Sequence, residues 1–403
     1  MASPSFTEKI LWRRAQDWLA AYRPQLVAIT GSTGKTIAAT AVQLALSHDR
    51  SVRIATPGDN TPLSVAKAIL GLPDAPGARN WMRLLARSAA REIKSEEPDA
   101  LIVEVGASKP GDVDRVAIRM SPQVVIVTNV GTAHTRLLGE KELVAHEFES
   151  LVATASPDTT IILNADDELT LGMAERAKGP VMLVGRGDDA DVQIVRTHRL
   201  PHGGLGVELS VHGQGYEVTW PTVLGQHHLP LLGMGLAAAH ALGVPTKQAL
   251  ASIKKWPGLS RRMEGVNGVH ESRIIDDTYN ATPESMKAGL STLRTLSAKR
   301  RIAVLGDITD LGGESLDVHQ QIGTMAAEVA NMVIVVGQEI EAAGAVALRS
   351  GVDVHHFADS DEVGKWLPGL ITKGDLIYVS GSRDMQMGDV VDRLKTAKKS
   401  SPS

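Results

Sequence analysis

LVAITGSTGKT, residues 26–36, is the stretch on which the reading of this chain turns. Leu26 to Ile29 form a short apolar run of strand-forming residues, and Ile37 to Leu46 continue as an Ala-rich helix former. Between them Gly31 and Gly34 let the backbone curl tightly, so that its N–H groups and the start of the helix can face an anion. In such a loop Ser32 and Thr33 complete the cradle, Lys35 reaches the β/γ-phosphates, and Thr36 offers its hydroxyl to Mg²⁺. The usual spacing is G-x-x-x-x-G-K-[ST]; here Ile29 holds the first glycine position and Gly31 comes later. A Gly-rich strand-to-helix turn with an incidental lysine is the plain alternative, but strand, loop and helix are all in place. The expectation is a chain that binds ATP or GTP.

The rest of the chain fits that frame. A length of 403 residues exceeds one hydrophobic core and predicts about two or three domains. The balance of 42 basic against 46 acidic residues, with no basic stripe, argues against a general nucleic-acid binder. The absence of cysteine excludes disulfides, thiolate metal sites and a cysteine nucleophile. The first twenty residues lack the apolar core of a signal peptide and read as an amphipathic helix anchored by Ile10, Leu11, Trp18 and Leu19. No run approaches transmembrane length, so a cytoplasmic protein is expected.

Apolar strand-like runs alternate with helical stretches almost throughout, the pattern of an α/β protein with mostly parallel sheets. Strands are predicted near 52–56, 100–106, 124–130, 160–166 and 181–185, then antiparallel strands within 190–222 and helix over 235–253. WPGLSRR (256–262) reads as a boundary, and a second α/β series follows with strands near 273–277, 301–307, 332–337 and 376–382. The expected division is an N-terminal helix over 1–25, a central nucleotide-binding domain over 26–258, a C-terminal Rossmann-like α/β domain over 259–396 and a disordered tail over 397–403.

Polar residues gather at predicted strand ends, where open α/β sheets bind ligands. Glu104 closes a strand that should be central and buried, where a carboxylate is costly unless it meets a cation. Asn129 ends the next strand and is suited to bond a phosphate or a loop backbone; His134 follows it. Singly these are a capping glutamate, a turn asparagine and a loop histidine. Beside a phosphate loop they predict a metal and acyl-transfer site. Farther on, Asp276, Asp277, Tyr279 and Asn280 are expected after a strand and before a helix that Thr282 and Pro283 open. LGDITDLGGES (305–315) is likewise rich in acids and glycines, and the Arg261-Arg262 pair could swing onto a γ-phosphate.

Taken in order, TGSTGKT, NTPLSV (60–65), EVGASKPGD (104–112), TNVGTAH (128–134), LNADDE (163–168), DDTYNATPESM (276–286), LGDITDLGGES and SGSRDM (380–385) resemble the ATP-dependent Mur ligase family over nearly the whole chain. The resemblance implies a central ATPase domain and a C-terminal domain that closes over ATP about the 256–262 linker. It also implies a shared reaction, in which a carboxylate takes the γ-phosphate of ATP and an amine then displaces phosphate to form an amide. Carried over by position, Lys35 and Thr36 match the phosphate and Mg²⁺ residues, and Glu104 and His134 the metal ligands. Arg262, Asp277 and Asn280 match residues that contact ATP, and 380–385 matches a loop near the incoming amine.

Four departures qualify the match. About two dozen residues precede the first strand, enough for one helix, where larger members carry a domain for a UDP-sugar. Phe148 stands where many members have a carbamoylated lysine, leaving Glu147 or Glu149 as candidate substitutes. His228 replaces an asparagine, with about three extra residues before the Ala-rich helix, and Ser380 replaces a common lysine. The leading expectation is therefore an ADP-forming amide ligase that joins an amino-acid or peptide amine to a small-molecule carboxylate acceptor. The alternatives are D-alanyl-D-alanine addition to a UDP-muramoyl peptide with a partner chain supplying the missing domain, and a non-catalytic nucleotide-binding subunit.

Overall fold

The computed structural model describes residues 6–57, 61–72, 98–132, 141–201 and 203–396. The chain divides into two compact units, one of Met1–Thr197, Val207–Thr219 and His228–Trp256, the other of His198–Gly206, Trp220–His227 and Pro257–Ser403.

In the first unit α1 (Phe6–Tyr22) precedes β1 (Gln25–Thr30) and α2 (Lys35–Leu46). They are followed by β2 (Val52–Ala55), α3 (Pro62–Ile69), β3 (Ala100–Glu104), α4 (Asp112–Ala117), β4 (Val124–Val127) and α5 (Lys141–Thr154). Next come β5 (Thr160–Asn164), α6 (Glu168–Gly172), β6 (Val181–Gly185), β7 (Val192–Arg199), β8 (Leu205–Val211) and β9 (Gln214–Trp220). The nine strands form one sheet in the order β2-β3-β1-β4-β5-β6-β7-β8-β9. From β2 to β7 each neighbouring pair is parallel. The centre of that sheet is buried on both faces, which is why β1, β3 and β4 read as unbroken apolar runs rather than alternating ones. The two-residue link His212-Gly213, both at positive φ, makes the tight turn that joins β8 and β9 as an antiparallel hairpin.

Helix α1 is part of this unit's core rather than a free leader, with Leu11, Trp12 and Ala15 packed among Val65, Ala66 and Ile69 of α3. The helix expected over 235–253 is two helices, α7 (Leu229–Ala241) and α8 (Thr246–Ile253). Gly243, at φ 81°, ends the first, and Pro245 stands immediately before the second. Helix α7 begins directly after His228, so the residues that looked like an insertion ahead of the helix form its first turn. It is buried almost all round, and a Cβ on Gly235 would lie 2.7 Å from the Ala41 carbonyl carbon, so α7 and α2 touch nearly backbone to backbone.

The second unit takes in two segments from within 26–258, His198–Gly206 and Trp220–His227. Arg199 accounts for part of this: its guanidinium donates to the carbonyls of Gly203 and Leu224 and, at 2.7 Å, to Thr295 Oγ1. The main body runs β10 (Glu264–Asn267), β11 (Arg273–Asp277), α9 (Pro283–Thr295), β12 (Arg300–Gly306) and α10 (Ser315–Val329). It continues through β13 (Met332–Val336), α11 (Glu341–Arg349), β14 (Asp353–Phe357), α12 (Ser360–Trp366), β15 (Asp375–Ser380) and α13 (Gly388–Leu394). Strand order is β10-β11-β15-β12-β13-β14, parallel except for β10.

Apolar residues of α9, α10 and α11 pack with one set of strand side chains, among them Ala303 and Leu305. Those of α12 and α13 pack with the alternate set, including Ile302 and Val304. The chain thus leaves β11 toward one face and β15 toward the other, and in open α/β sheets it is at the carboxyl ends of such neighbouring strands that a ligand crevice forms.

Gly289 lets α9 lie on β15, because a Cβ there would stand 2.1 Å from the hydroxyl of Tyr378, a fully buried ring. Gly289→Ala is expected to lower stability by about 1–3 kcal/mol through overpacking. Urea denaturation measures this, and an unchanged midpoint would mean the helix does not approach the strand so closely.

Candidate active site

The loop between β1 and α2 is held from the neighbouring strand β4. Thr128 Oγ1 donates to the Thr33 carbonyl at 2.6 Å. Asn129 accepts from the Thr33 amide at 2.9 Å and donates to the Thr33 hydroxyl at 2.6 Å. Ser32 closes the pattern, its amide donating to the Asn129 carbonyl at 3.0 Å and its hydroxyl accepting from the Gly131 amide at 2.8 Å. Of the two roles open to Asn129, bonding the loop backbone is the one seen. The glycines are sterically required: Gly31 has φ 134° and a Cβ there would lie 2.0 Å from Thr128 Oγ1, while Gly34 has φ 81° and sits against Leu231. The residue that opens α2 is Gly34, which has no side chain to cap the helix, and a helix start of this kind suits an anion. Lys35 folds its ammonium back onto the Gly31 carbonyl at 2.6 Å, across the loop it would share with a phosphate.

Glu104 ends β3 directly beside β1, in register with Ile29. Its carboxylate is buried, and its two oxygens accept from Thr36 Oγ1 at 3.1 Å and Thr56 Oγ1 at 3.0 Å. Thr36 and Glu104, expected as ligands of separate metal ions, are in direct contact and form a pair of hard oxygen donors that suits Mg²⁺. Thr56 was not anticipated; its signal is its place just past β2, at the same end of the sheet. His134 lies outside the described residues. Among the described residues no three or more His, Asp or Glu side chains gather into a metal cage.

The two glutamates considered as substitutes for a carbamoylated lysine have other work. Glu147 is buried and accepts from the amides of Gly111 and Val113, capping the start of α4 from a distance. Glu149 pairs with Arg176 and His146, each at 3.3 Å. Phe148 is a core residue packed among apolar neighbours.

In the second unit Asp276 and Asp277 are the last residues of β11, which spans the 273–277 run expected as a strand, and they pair with Val379 and Ser380. Asp277 Oδ1 accepts from the Met263 amide at 3.1 Å and Oδ2 from the Tyr378 hydroxyl at 3.2 Å. Burial pushes its carboxyl up to about 7, and the neighbouring Asp276 adds to the rise. The Met263 and Tyr378 bonds and the Arg262 charge oppose the shift without cancelling it. Tyr378 is raised as well, by burial and by Asp277. Buried inside an apolar strand, Tyr378 carries no sequence signal of this contact.

The Met263 bond anchors a strained segment, since Arg261 and Met263 have φ 59° and 52°. Between them Arg262 lays its guanidinium over the Tyr279 ring, 3.6 Å from the centroid. Asn280 accepts from the Arg383 amide at 3.1 Å, joining the segment after β11 to the one after β15. Thr282 caps α9 in a reciprocal capping box with Ser285, as its spacing from Pro283 suggested.

Comparison with known proteins supplies the class. Residues 29–238 match the Mur ligase middle domain, and residues 261–383 match the Mur ligase, glutamate ligase domain. The chain belongs to the Mur ligase family, the ATP-dependent, ADP-forming amide-bond ligases that work with Mg²⁺. It is similar to the UDP-N-acetylmuramoyl-tripeptide–D-alanyl-D-alanine ligase of Mycobacterium tuberculosis (strain ATCC 25618 / H37Rv), with 29% identity over 392 residues covering 92% of this chain and 72% of that one. The Bacillus subtilis (strain 168) enzyme of the same name is 23% identical over 388 residues, covering 95% and 79%. The fold is shared with MurF from Acinetobacter baumannii, at a TM-score of 0.80 and 23% identity over 96% of this chain and 80% of that one. It is shared too with MurF ligase from Thermotoga maritima in complex with ADP, at 0.81 and 20% over 98% and 84%. Among the described residues no helix is long and apolar enough to cross a membrane.

Two outcomes follow from this geometry. Lys35→Ala is expected to lower ATP-dependent phosphate release on the order of 10³-fold or more, by removing a charge from the phosphate loop; near-normal release would contradict that role. Asp277 also makes stability depend on pH. Between its ordinary value of 3.8 and about 7 the folded protein keeps a proton that the unfolded chain has lost. Its contribution is thus fully present below that window and declines as pH rises through it. Asp277→Asn should flatten the stability profile there, and an unchanged slope in chemical denaturation would contradict the assignment.

Proposed function

We propose that this ligase joins a peptide amine to a peptidyl carboxylate through an acyl phosphate, with D-alanyl-D-alanine as amine and a UDP-muramoyl tripeptide as acceptor. The observation that supports the chemistry is the meeting of Thr36 and Glu104 at 3.1 Å at the start of α2, which opens on a glycine. The substrate pair is read from the names of the relatives.

In this reading Gly31, Ser32, Thr33 and Gly34 form the phosphate cradle that Asn129 holds, and Lys35 neutralises the β/γ-phosphates. Thr36 and Glu104, with His134, hold Mg²⁺, which supplies charge neutralisation during transfer. Arg262, Asp277 and Asn280 are the nucleotide-contacting residues of the C-terminal domain. The domain assignments 26–258 and 259–396 belong to the same proposal.

The acceptor carboxylate oxygen attacks the γ-phosphorus and ADP leaves. The amine nitrogen then attacks the acyl carbon and gives up a proton, and phosphate departs with that carboxylate oxygen. A panel assay of phosphate release tests the substrates, setting UDP-N-acetylmuramoyl-tripeptide with D-alanyl-D-alanine against free amino acids and short peptides as acceptors. Turnover of the muramoyl pair is expected. Turnover confined to small acceptors would restore the smaller substrate expected from the sequence, and no ATP-dependent release with any pair would contradict the ligase reading.

A further inference from the structure

The acid- and glycine-rich segment after β12 is held by a histidine that the chemistry above does not use. His319, in α10, is fully buried. Its Nε2 accepts from the Ile308 amide at 3.1 Å, and its Nδ1 lies 2.8 Å from the Ser315 carbonyl. A ring nitrogen facing an N–H must carry a lone pair, and one facing a carbonyl must carry a proton. Both contacts are made together only by the neutral ring protonated on Nδ1. Ser315 is fastened in turn to Glu339.

The segment fixed at Ile308 is bonded on both sides. The Asp307 carboxylate accepts from the amides of Gln338 at 3.2 Å and Ile340 at 2.8 Å. The Asp307 carbonyl accepts from the Ser382 amide at 2.9 Å, and Ser382 Oγ accepts from the Thr309 amide at 2.9 Å. Ser382 follows β15, and the next residue, Arg383, donates its amide to Asn280. His319 therefore sits at one end of a run of bonds that reaches the segments after β12, β15 and β11. These are the strand ends that flank the crevice where the chain switches faces. Asp310 and Glu314 make the segment after β12 acidic, which favours an ammonium over a phosphate as its ligand.

We infer that His319 is a positioning residue for the incoming amine. It holds residues 307–310, and through them Ser382, in the shape that receives the amine at this crevice. The inference rests on the ligase reading and concerns the second unit alone.

Steady-state kinetics with the amine varied and with ATP varied provide the test, on the wild type, His319→Asn, His319→Gln and Ser382→Ala. Gln places an amide oxygen near the position of Nε2 and can accept from Ile308, whereas Asn mimics only Nδ1. His319→Asn and Ser382→Ala are expected to raise KM for the amine about tenfold, the effect of one lost buried hydrogen bond, while KM for ATP stays within about twofold. His319→Gln should stay close to wild type. Equal rises for amine and ATP, or Gln as damaging as Asn, would overturn the inference. Ser382→Ala leaves the buried ring in place, so an unchanged amine KM in that variant overturns it even if His319→Asn fails to fold. Wild type that turns over no amine would contradict the ligase reading itself; turnover with every variant unchanged would contradict only the role of His319.

Discussion

The two-way bond between Asn129 and Thr33 is the contact on which the first unit's chemistry depends. A loop of glycines and small hydroxyl residues has many conformations open to it, and ordering it costs about 1–2 kcal/mol per residue. Here the protein's own side chains hold the loop, because β4 is hydrogen-bonded to β1 and carries Thr128 and Asn129 to the loop's flank. The same strand order brings β3 to the other side of β1, so that Glu104 meets Thr36. The proposed phosphate cradle and oxygen ligands are thus consequences of one arrangement, β3-β1-β4, with the switch of direction at β1.

The second unit solves a similar problem with a buried acid. Asp277 connects strand β11, the strained 261–263 segment and Tyr378 of β15, and it does so in surroundings that favour its protonated form. A protonated carboxyl there can both accept from Met263 and share a proton with the tyrosine hydroxyl. The cost of burying the acid is offset by the fixed geometry it imposes on the residues beside Arg262. Arg262 itself rests on Tyr279, so the side chain read from sequence as a phosphate ligand has a defined resting place.

Much of this was legible in the sequence because parallel strands buried on both faces leave continuous apolar runs, and the residues just past them stand out as polar. Glu104 and Asn129 stand out that way, and Lys35 and Thr36 through the spacing of the glycine-rich loop. What stayed hidden depends on partners distant in sequence. Glu147, one of two candidates to stand in for a carbamoylated lysine, has its carboxylate capping α4. Tyr378 and His319 lie inside a strand and a helix, and nothing local in the sequence announces the carboxylate or amide each one meets. Helix α7 starts ahead of the Ala-rich run because its proline falls in the first turn, where a helix tolerates it.

The central claim is that the acceptor carboxylate is activated as an acyl phosphate at the Lys35–Thr36 loop, and oxygen tracing tests it most directly. The acceptor is prepared with ¹⁸O in its reacting carboxylate, and phosphate released during turnover is analysed by mass. Transfer of one labelled oxygen from each acceptor into phosphate is the predicted result, because the oxygen that attacks the γ-phosphorus leaves with it when the amine arrives. Phosphate free of the label, with amide still formed, would contradict the account.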